Sequence, residues 1–168
     1  MTRKIYLTLV ILSFISITCN YSDEEMIYDY ALLDINPHSD TYGINIGPNY
    51  FVNQVTVHYF GHQGWSLCQE RVGNLDDLYQ DLLGNGINNV KIIVIGISEE
   101  SSNNGNWISG HSIPVIVDPY PYNTWTNWDA EQRDLFFLDG NGAYVTNFNI
   151  SDWDYDTVYY QIINLLPE

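Results

Sequence analysis

The residues best suited to chemistry lie in one short stretch, residues 60–68, which reads Phe-Gly-His-Gln-Gly-Trp-Ser-Leu-Cys. Cys68 is the candidate reactive group, because a thiolate is both a nucleophile and a metal ligand. His62 is a candidate proton relay, since imidazole titrates near neutral pH. A dithiol site would need a second cysteine three residues before Cys68, and the sequence has Trp65 there. The stretch therefore has the spacing of a redox site with one of its two reactive groups changed.

The elements on either side place this stretch on a strand-to-helix turn. Residues 54–60 are nearly all strand formers, which predicts a central strand. An amphipathic helix that ends at residues 84–86 is predicted by apolar residues at three- and four-residue spacing, namely Cys68, Val72, Leu75, Leu78, Leu82 and Leu83. Residues 91–97 are typical of a parallel strand buried on both faces. The turn would lie at the carboxyl edge of the sheet, where ligands and reactive groups collect.

The remainder of the chain predicts the elements that complete a single α/β domain with a central mixed sheet flanked by helices. These elements are, in chain order, an N-terminal strand or hairpin over residues 26–51, a loop over 98–110, a strand over 112–118 entered through proline, a short helix or turn over 122–134, a hairpin over 135–148 and a closing helix over 154–166. No internal repeat or second domain is indicated by the pattern.

The charge of the chain excludes one class of partner. The formal net charge is -16, and 45% of the residues are hydrophobic, which predicts a folded and strongly acidic globule. Beyond the N-terminal segment the basic residues are Arg71, Lys91 and Arg133. Such a surface repels phosphate backbones, so we expect no nucleic-acid binding. Solubility in a salty setting explains the acidity, and a dedicated basic partner is the alternative.

The N-terminus predicts export. Residues 1–19 combine a basic start with an apolar run too short to span a membrane comfortably, which is typical of a secretory signal. Residues 16–19, Ser-Ile-Thr-Cys, resemble the lipobox of bacterial lipoproteins, which would make Cys19 a lipid attachment site. Simple cleavage nearby is the alternative. Residues 20–27 would then tether the domain over 28–168. We expect a periplasmic or membrane-anchored bacterial lipoprotein, or otherwise a secreted protein, with membrane contact only through the lipid.

The order of elements resembles that of the thioredoxin fold. In thioredoxin-like proteins of the bacterial envelope, a Phe at the end of the central strand is followed, after four residues, by Cys-x-x-Cys. Here Phe60 and the pair Trp65 and Cys68 reproduce this spacing with only the first Cys changed. The resemblance implies a thioredoxin-like domain with an N-terminal extension, and it makes Pro114 the counterpart of the cis-proline that faces the redox motif. His111, just before that proline, is a second candidate relay.

The chain is also similar, over residues 55–163, to the N-terminal domain of selenoprotein P. In that family selenocysteine-x-x-Cys precedes a Leu-x-Asp-Leu helix, and residues 65–68 and 75–78 look similar to these two motifs. Residues 134–139, Asp-Leu-Phe-Phe-Leu-Asp, also have a counterpart. The resemblance implies that residue 65 is the position of the nucleophile and that Cys68 resolves the intermediate.

Two functions follow for this turn. Trp65 has no nucleophile, but selenocysteine is encoded by UGA, and reading UGA as tryptophan would place Trp at this position. We therefore expect an exported thiol or selenol oxidoreductase that acts on peroxides or protein disulfides, with selenocysteine at position 65 in the natural product. The alternative is a redox-inactive binding module with Cys68 as an inert core residue. No metal or other cofactor is predicted, because no His, Cys and carboxylate cluster has zinc spacing.

Overall fold

The structure, a computed structural model, describes residues 28–167 of the 168-residue chain. The predicted signal, its tether and Cys19 lie outside these residues, so those assignments stay predictions. None of the helices within the described range is long and apolar enough to cross a membrane.

The elements follow the chain in nearly the predicted order. The strands within residues 28–167 are β1 (Leu32–Leu33), β2 (Asn45–Ile46), β3 (Val55–Phe60), β4 (Val90–Ile97), β5 (Val115–Asp118), β6 (Asp134–Leu138) and β7 (Tyr144–Asn149). The α-helices are α1 (Ser66–Gly84), α2 (Gly105–Ile108), α3 (Asn123–Asn127) and α4 (Tyr155–Ile163), and short 3-10 helices occupy Pro48–Tyr50 and Ser98–Asn103.

Five of the strands form one mixed sheet in the order β5-β4-β3-β6-β7. β3, β4 and β5 are parallel, whereas β6 pairs antiparallel with β3, and β7 antiparallel with β6. β1 and β2 form a separate antiparallel pair, which Asp34 joins to β5 through a bridge to Ile116. The predicted α/β domain with a central mixed sheet and an N-terminal extension is confirmed.

Both faces of the sheet are covered, which explains why β3 and β4 are buried along their whole length. One face packs against α1 and α4, through residues such as Val57 on β3 and Val158 on α4. The other face packs against the N-terminal extension and the segment around α3, with Phe60 and Trp128 among its buried residues. Because successive side chains of a strand point to opposite faces, β3 contributes to both cores.

The predicted strand over residues 112–118 begins later than expected, at Val115. The Oδ1 atom of Asp76 accepts hydrogen bonds from the backbone N–H of Ser112, at 2.7 Å, and of Ile113, at 3.0 Å. These amides are therefore bound to a side chain of α1 instead of a neighbouring strand.

The predicted cis-proline at Pro114 is wrong. Within residues 28–167 the cis peptide bond joins Tyr120 to Pro121, and the bond before Pro114 is not cis. The trans form is the preferred one even before proline. On one side of Pro114 the amide of Ile113 is held by Asp76, and on the other the amide of Val115 donates to Asp34 Oδ1 at 3.1 Å.

Candidate functional site

The turn over residues 61–65 lies at the carboxyl edge of the parallel strands, as predicted. β3 ends at Phe60, and α1 begins at Ser66 with Trp65 as its N-cap residue. The first helical hydrogen bond of α1 runs from the N–H of Gln69 to the carbonyl of Trp65, at 3.0 Å. Residue 65 therefore occupies the point where the chain enters the helix, and Cys68 lies within the first turn.

Trp65 is the exposed member of the motif, with 54% of its surface accessible. Its side chain does not cap α1, and the first turn of α1 carries no acidic residue. The amides of the first helical turn and the helix dipole would stabilise an anion at this position. A tryptophan side chain supplies no such anion, so the position has the setting for a thiolate or selenolate without the group itself.

Cys68 is the buried member of the motif. It is a free cysteine with no exposed surface, and its Sγ accepts a hydrogen bond from Gln132 Nε2 at 3.3 Å. The Tyr59 hydroxyl lies beside the thiol, and burial, followed by the proximity of Cys68, raises the pKa of this hydroxyl well above its ordinary value. The thiol is thus enclosed, which suits a resolving or structural cysteine better than an attacking one.

The segment that faces Cys68 is the one before β6, which the sequence-based interpretation missed. Gln132 contacts the thiol, and the N–H of Arg133 donates to the carbonyl of Phe60 at 2.7 Å. Pro114 lies at the start of β5 instead, separated from β3 by the whole of β4. The predicted hairpin could have indicated this segment. If its first strand pairs antiparallel with β3, that strand must start where β3 ends, beside the turn.

A buried glutamine fixes the turn to the end of β4. Gln63 has no exposed surface, and its Nε2 donates to the carbonyl of Ile97 at 3.0 Å and to Asn104 Oδ1 at 2.9 Å. Its Oε1 accepts from the N–H of Ile97 at 3.2 Å. The amide occupies the space over Gly96, where a Cβ atom would lie 2.4 Å from it. Glycine is therefore required on β4 for the turn to dock.

Glu100 holds the turn from its outer side. One carboxylate oxygen accepts the N–H of Gly64, and the other lies 3.3 Å from His62 Nδ1. The imidazole of His62 lies between two indoles, with ring centroids 5.8 Å from Trp65 and 5.5 Å from Trp125. His62 therefore borders residue 65, as a relay at that position would need to.

His111, the other candidate relay, is engaged elsewhere. Its Nδ1 donates to the carbonyl of Trp107 at 3.0 Å, which ties the ring to α2. The structure thus brings together Trp65, Cys68, His62 and Gln132, and it separates Pro114 from them.

An open groove of about 360 Å³ borders the turn. We call it the aromatic groove, and its lining residues are His62, Ile97, Tyr122, Trp125, Thr126, Asp129 and Ala130. In the described part of the chain, the groove included, no group of three or more His, Cys, Asp or Glu side chains is placed to hold a metal ion.

The fold is that of thioredoxin-like proteins. No protein-family model and no curated protein matches the chain. Several solved structures match it. A candidate protein disulfide isomerase from Bacteroides thetaiotaomicron superposes with a TM-score of 0.68 at 16% identity, over 86% of this chain and 89% of that one. The exposed lipoprotein thioredoxin of Streptococcus pneumoniae gives 0.65 at 16% identity, over 82% and 99%. A candidate thiol:disulfide interchange protein DsbE from Chlorobium tepidum gives 0.64 at 14% identity, over 83% and 94%.

Proposed function

We propose that the natural product carries selenocysteine at position 65 and is an exported thiol and selenol oxidoreductase. The observation that carries this proposal is the pairing of an exposed residue at the N-cap of α1 with a fully buried thiol three residues later. Attacking and resolving groups need this division, because the first must reach the substrate and the second must reach only the first. The solved structures with this fold include proteins described as thiol:disulfide interchange proteins, which supports the same reaction class.

With a protein disulfide as substrate, the selenolate of residue 65 attacks one sulfur and forms a selenenyl sulfide bond, while the other sulfur leaves as a thiolate. Cys68 then loses its proton and attacks the selenium, which releases the second substrate sulfur as a thiolate. The substrate gains two electrons and becomes a dithiol, and residues 65 and 68 become a selenenyl sulfide. A reduced dithiol protein restores the starting state by the reverse exchange.

With a hydroperoxide as substrate, the selenolate attacks the outer oxygen, the O–O bond breaks, and the alkoxide leaves with a proton as an alcohol. Residue 65 is then a selenenic acid. Cys68 condenses with it, releasing water and forming the same selenenyl sulfide. In this proposal His62 donates the proton to the leaving group, and the contact of its Nδ1 with Glu100, at 3.3 Å, supports that role.

Codon 65 of the gene is the first test. A UGA codon followed by a selenocysteine insertion element supports the proposal. A UGG codon overturns it, because the natural residue is then tryptophan and has no nucleophile.

The second test uses protein. We expect the chain with selenocysteine at 65 to reduce insulin disulfides or consume a hydroperoxide, with a dithiol donor, at least about 100-fold faster than the Trp65 chain. Adding Cys68→Ser should trap the mixed selenenyl sulfide with the substrate. A folded selenocysteine protein no faster than the Trp65 chain would contradict the proposal.

A matched pair of cysteine variants tests the geometry alone. Trp65→Cys should form a reducible disulfide with Cys68, seen as a loss of both free thiols that dithiothreitol reverses. Tyr160→Cys is the control, because Tyr160 is as exposed as Trp65, at 59% against 54%, but lies on α4. In the monomer it should keep both the thiol introduced at position 160 and that of Cys68 free.

The second candidate function is a redox-silent binding module built on the same turn. The observation that favours it is the exposure of aromatic surface there, with Trp65 at 54% and Tyr120 at 77%. Tyr120 packs edge-to-face on Tyr122, which lines the aromatic groove. Exposed aromatic residues of this kind are typical of binding sites. A UGG codon together with binding by the Trp65 chain would favour this function.

A further inference from the structure

We infer that the aromatic groove is a docking site for a basic segment of a partner protein, which places a lysine or arginine side chain between the aromatic rings and Asp129. This inference does not depend on whether residue 65 is tryptophan or selenocysteine. It rests on the shape of the groove, the charges around it and the hydrogen bonds of every lysine and arginine in the described domain.

The groove has a size and rigidity suited to one or two side chains. Its volume of about 360 Å³ lies at the lower end of the range of small-ligand pockets. Trp125 forms one wall and is held in place, because its ring packs edge-to-face on Phe60 at 5.3 Å and its backbone N–H donates to Asp118 Oδ2 at 3.1 Å. A wall held in this way loses little conformational freedom when a partner binds.

Carboxylates border the groove, and the basic side chain among its lining residues is that of His62. Asp129 lines it directly, and Glu100 lies against His62 at its turn end. Glu99 lies near Tyr122, and desolvation, with this carboxylate, raises the pKa of the tyrosine. Acidic side chains next to the faces of Trp and Tyr form a favourable environment for a cation.

The lysine and arginine side chains of residues 28–167 all form hydrogen bonds to groups outside the groove lining. Arg71 donates to the carbonyls of Ile150 and Ser151, and Arg133 Nε donates to Ser151 Oγ at 2.7 Å. Lys91 donates to Asp40 and to Tyr79. Within the described range no lysine or arginine is therefore hydrogen-bonded to the acidic residues of the groove, and a cation from a partner would be complementary to them.

The groove also borders residue 65, because His62 is shared by both. A segment seated in the groove would consequently pass over the position of the proposed nucleophile. If the proposed redox function holds, the preferred substrates are protein disulfides with basic residues nearby.

The test measures binding to the Trp65 chain, so that it needs no redox activity. The probe is an acetylated pentapeptide, Gly-Arg-Gly-Lys-Gly-amide, titrated into the labelled protein while the indole ¹H–¹⁵N signals are followed by NMR. We expect saturable shifts of the Trp125 indole, and at least about fivefold weaker binding of the same peptide with citrulline for arginine and norleucine for lysine.

Two variants separate a local site from general acidity. Asp129→Asn should weaken binding by about fivefold, whereas Asp152→Asn, which removes an exposed acid outside the groove, should change it by less than about twofold. Thermal unfolding of both variants checks that they are folded.

Three outcomes would overturn the inference. They are equal affinity for the basic and neutral peptides, equal loss of binding in the two variants, and shifts confined to residues outside the groove. Each of them leaves the proposed redox function untouched, since that function is judged by codon 65 and by the selenocysteine protein.

Discussion

Two regions of this molecule use polar side chains to hold the backbone, and they do so in opposite ways. We call the first the carboxylate lock, in which Asp34 and Asp76 accept hydrogen bonds from the backbone amides of Ser112, Ile113 and Val115. Both carboxylates are buried. The second is the turn over residues 61–65, held by Gln63 and Glu100. There a neutral amide is buried, the charged group is partly exposed, and aromatic rings are left on the surface.

The difference separates a structural region from a functional one. Asp34 accepts from the N–H of Asn36, the hydroxyl of Thr41 and the N–H of Val115, so its buried charge is fully used within the fold. The turn also fixes its backbone through hydrogen bonds, those of Gln63. On its outer surface, however, the side chain of Trp65 has a single aromatic neighbour within residues 28–167, His62. A substrate or partner site requires a fixed backbone together with exposed side chains that are free to contact a ligand.

The largest effect should come from the carboxylate lock. We expect Asp34→Ala to lower the free energy of unfolding by about 3–5 kcal/mol, because buried donors lose their acceptor and a cavity remains. Urea unfolding followed by tryptophan fluorescence measures this. Asp152→Ala, at an exposed acid, is the control and should change stability by less than about 0.5 kcal/mol. A loss below about 1 kcal/mol for Asp34→Ala would remove the distinction between the two regions.

A smaller effect is expected at the turn. Gln63→Ala should cost about 1–3 kcal/mol, since the backbone groups of Ile97 lose their partner. Gly96→Ala alone should cost a similar amount, because the new Cβ would lie 2.4 Å from the Gln63 amide.

The double variant decides whether these two residues act together. In Gln63→Ala the space over Gly96 is vacated, so adding Gly96→Ala should cost at least about 1 kcal/mol less than it does in the wild-type chain. Additive losses in urea unfolding would show that Gln63 does not dock on Gly96, and the turn would then lack the firm support that the comparison assigns to it.

Two histidines near the end of β3 differ in the same way, because one is buried in the interior and the other is partly exposed on the turn. His58 is fully buried, with Nδ1 2.9 Å from the Tyr30 hydroxyl and Nε2 2.8 Å from Thr56 Oγ1. Burial lowers the pKa of His58 to about 3. His62, four residues later, is partly exposed beside Glu100. One imidazole is therefore kept neutral as a structural group, and the other remains open to a partner.

The buried histidine predicts a loss of stability in mild acid. The folded-state pKa lies below the unfolded value of about 6.5, so the unfolded chain takes up the proton first, and stability present above pH 6.5 is lost as the pH falls toward 3. Between pH 7 and pH 5 the expected loss from this group is about 2 kcal/mol.

Urea unfolding at several pH values checks this prediction. In His58→Gln the free energy of unfolding should fall by about 2 kcal/mol less between pH 7 and pH 5 than in the wild-type chain, whatever the stability of the variant at pH 7. His38→Gln, at an exposed turn residue, should leave the dependence unchanged. If both variants behave alike, the buried imidazole is not the group that titrates.

Much of the fold could be predicted because its signals are local. The three- and four-residue spacing from Cys68 to Leu82 predicted α1, and the apolar run after Lys91 predicted β4, since periodicity depends on neighbours in the chain. The later start of β5, at Val115, could not be predicted, because a carboxylate on α1, 36 residues before Ser112, accepts hydrogen bonds from the amides of Ser112 and Ile113.

The sequence by itself determined that residues 60–68 form a strand-to-helix turn with Cys68 on the apolar face of the helix, because strand, turn and helix patterns depend on neighbouring residues in the chain. Only the tertiary structure decided what surrounds that turn. Gln132 reaches Cys68 from 64 residues away, and Gln63 docks on β4 from 34 residues away. Such contacts depend on strand order and register, which bring together residues that no local pattern relates, and this is why Gln132 rather than Pro114 faces the thiol.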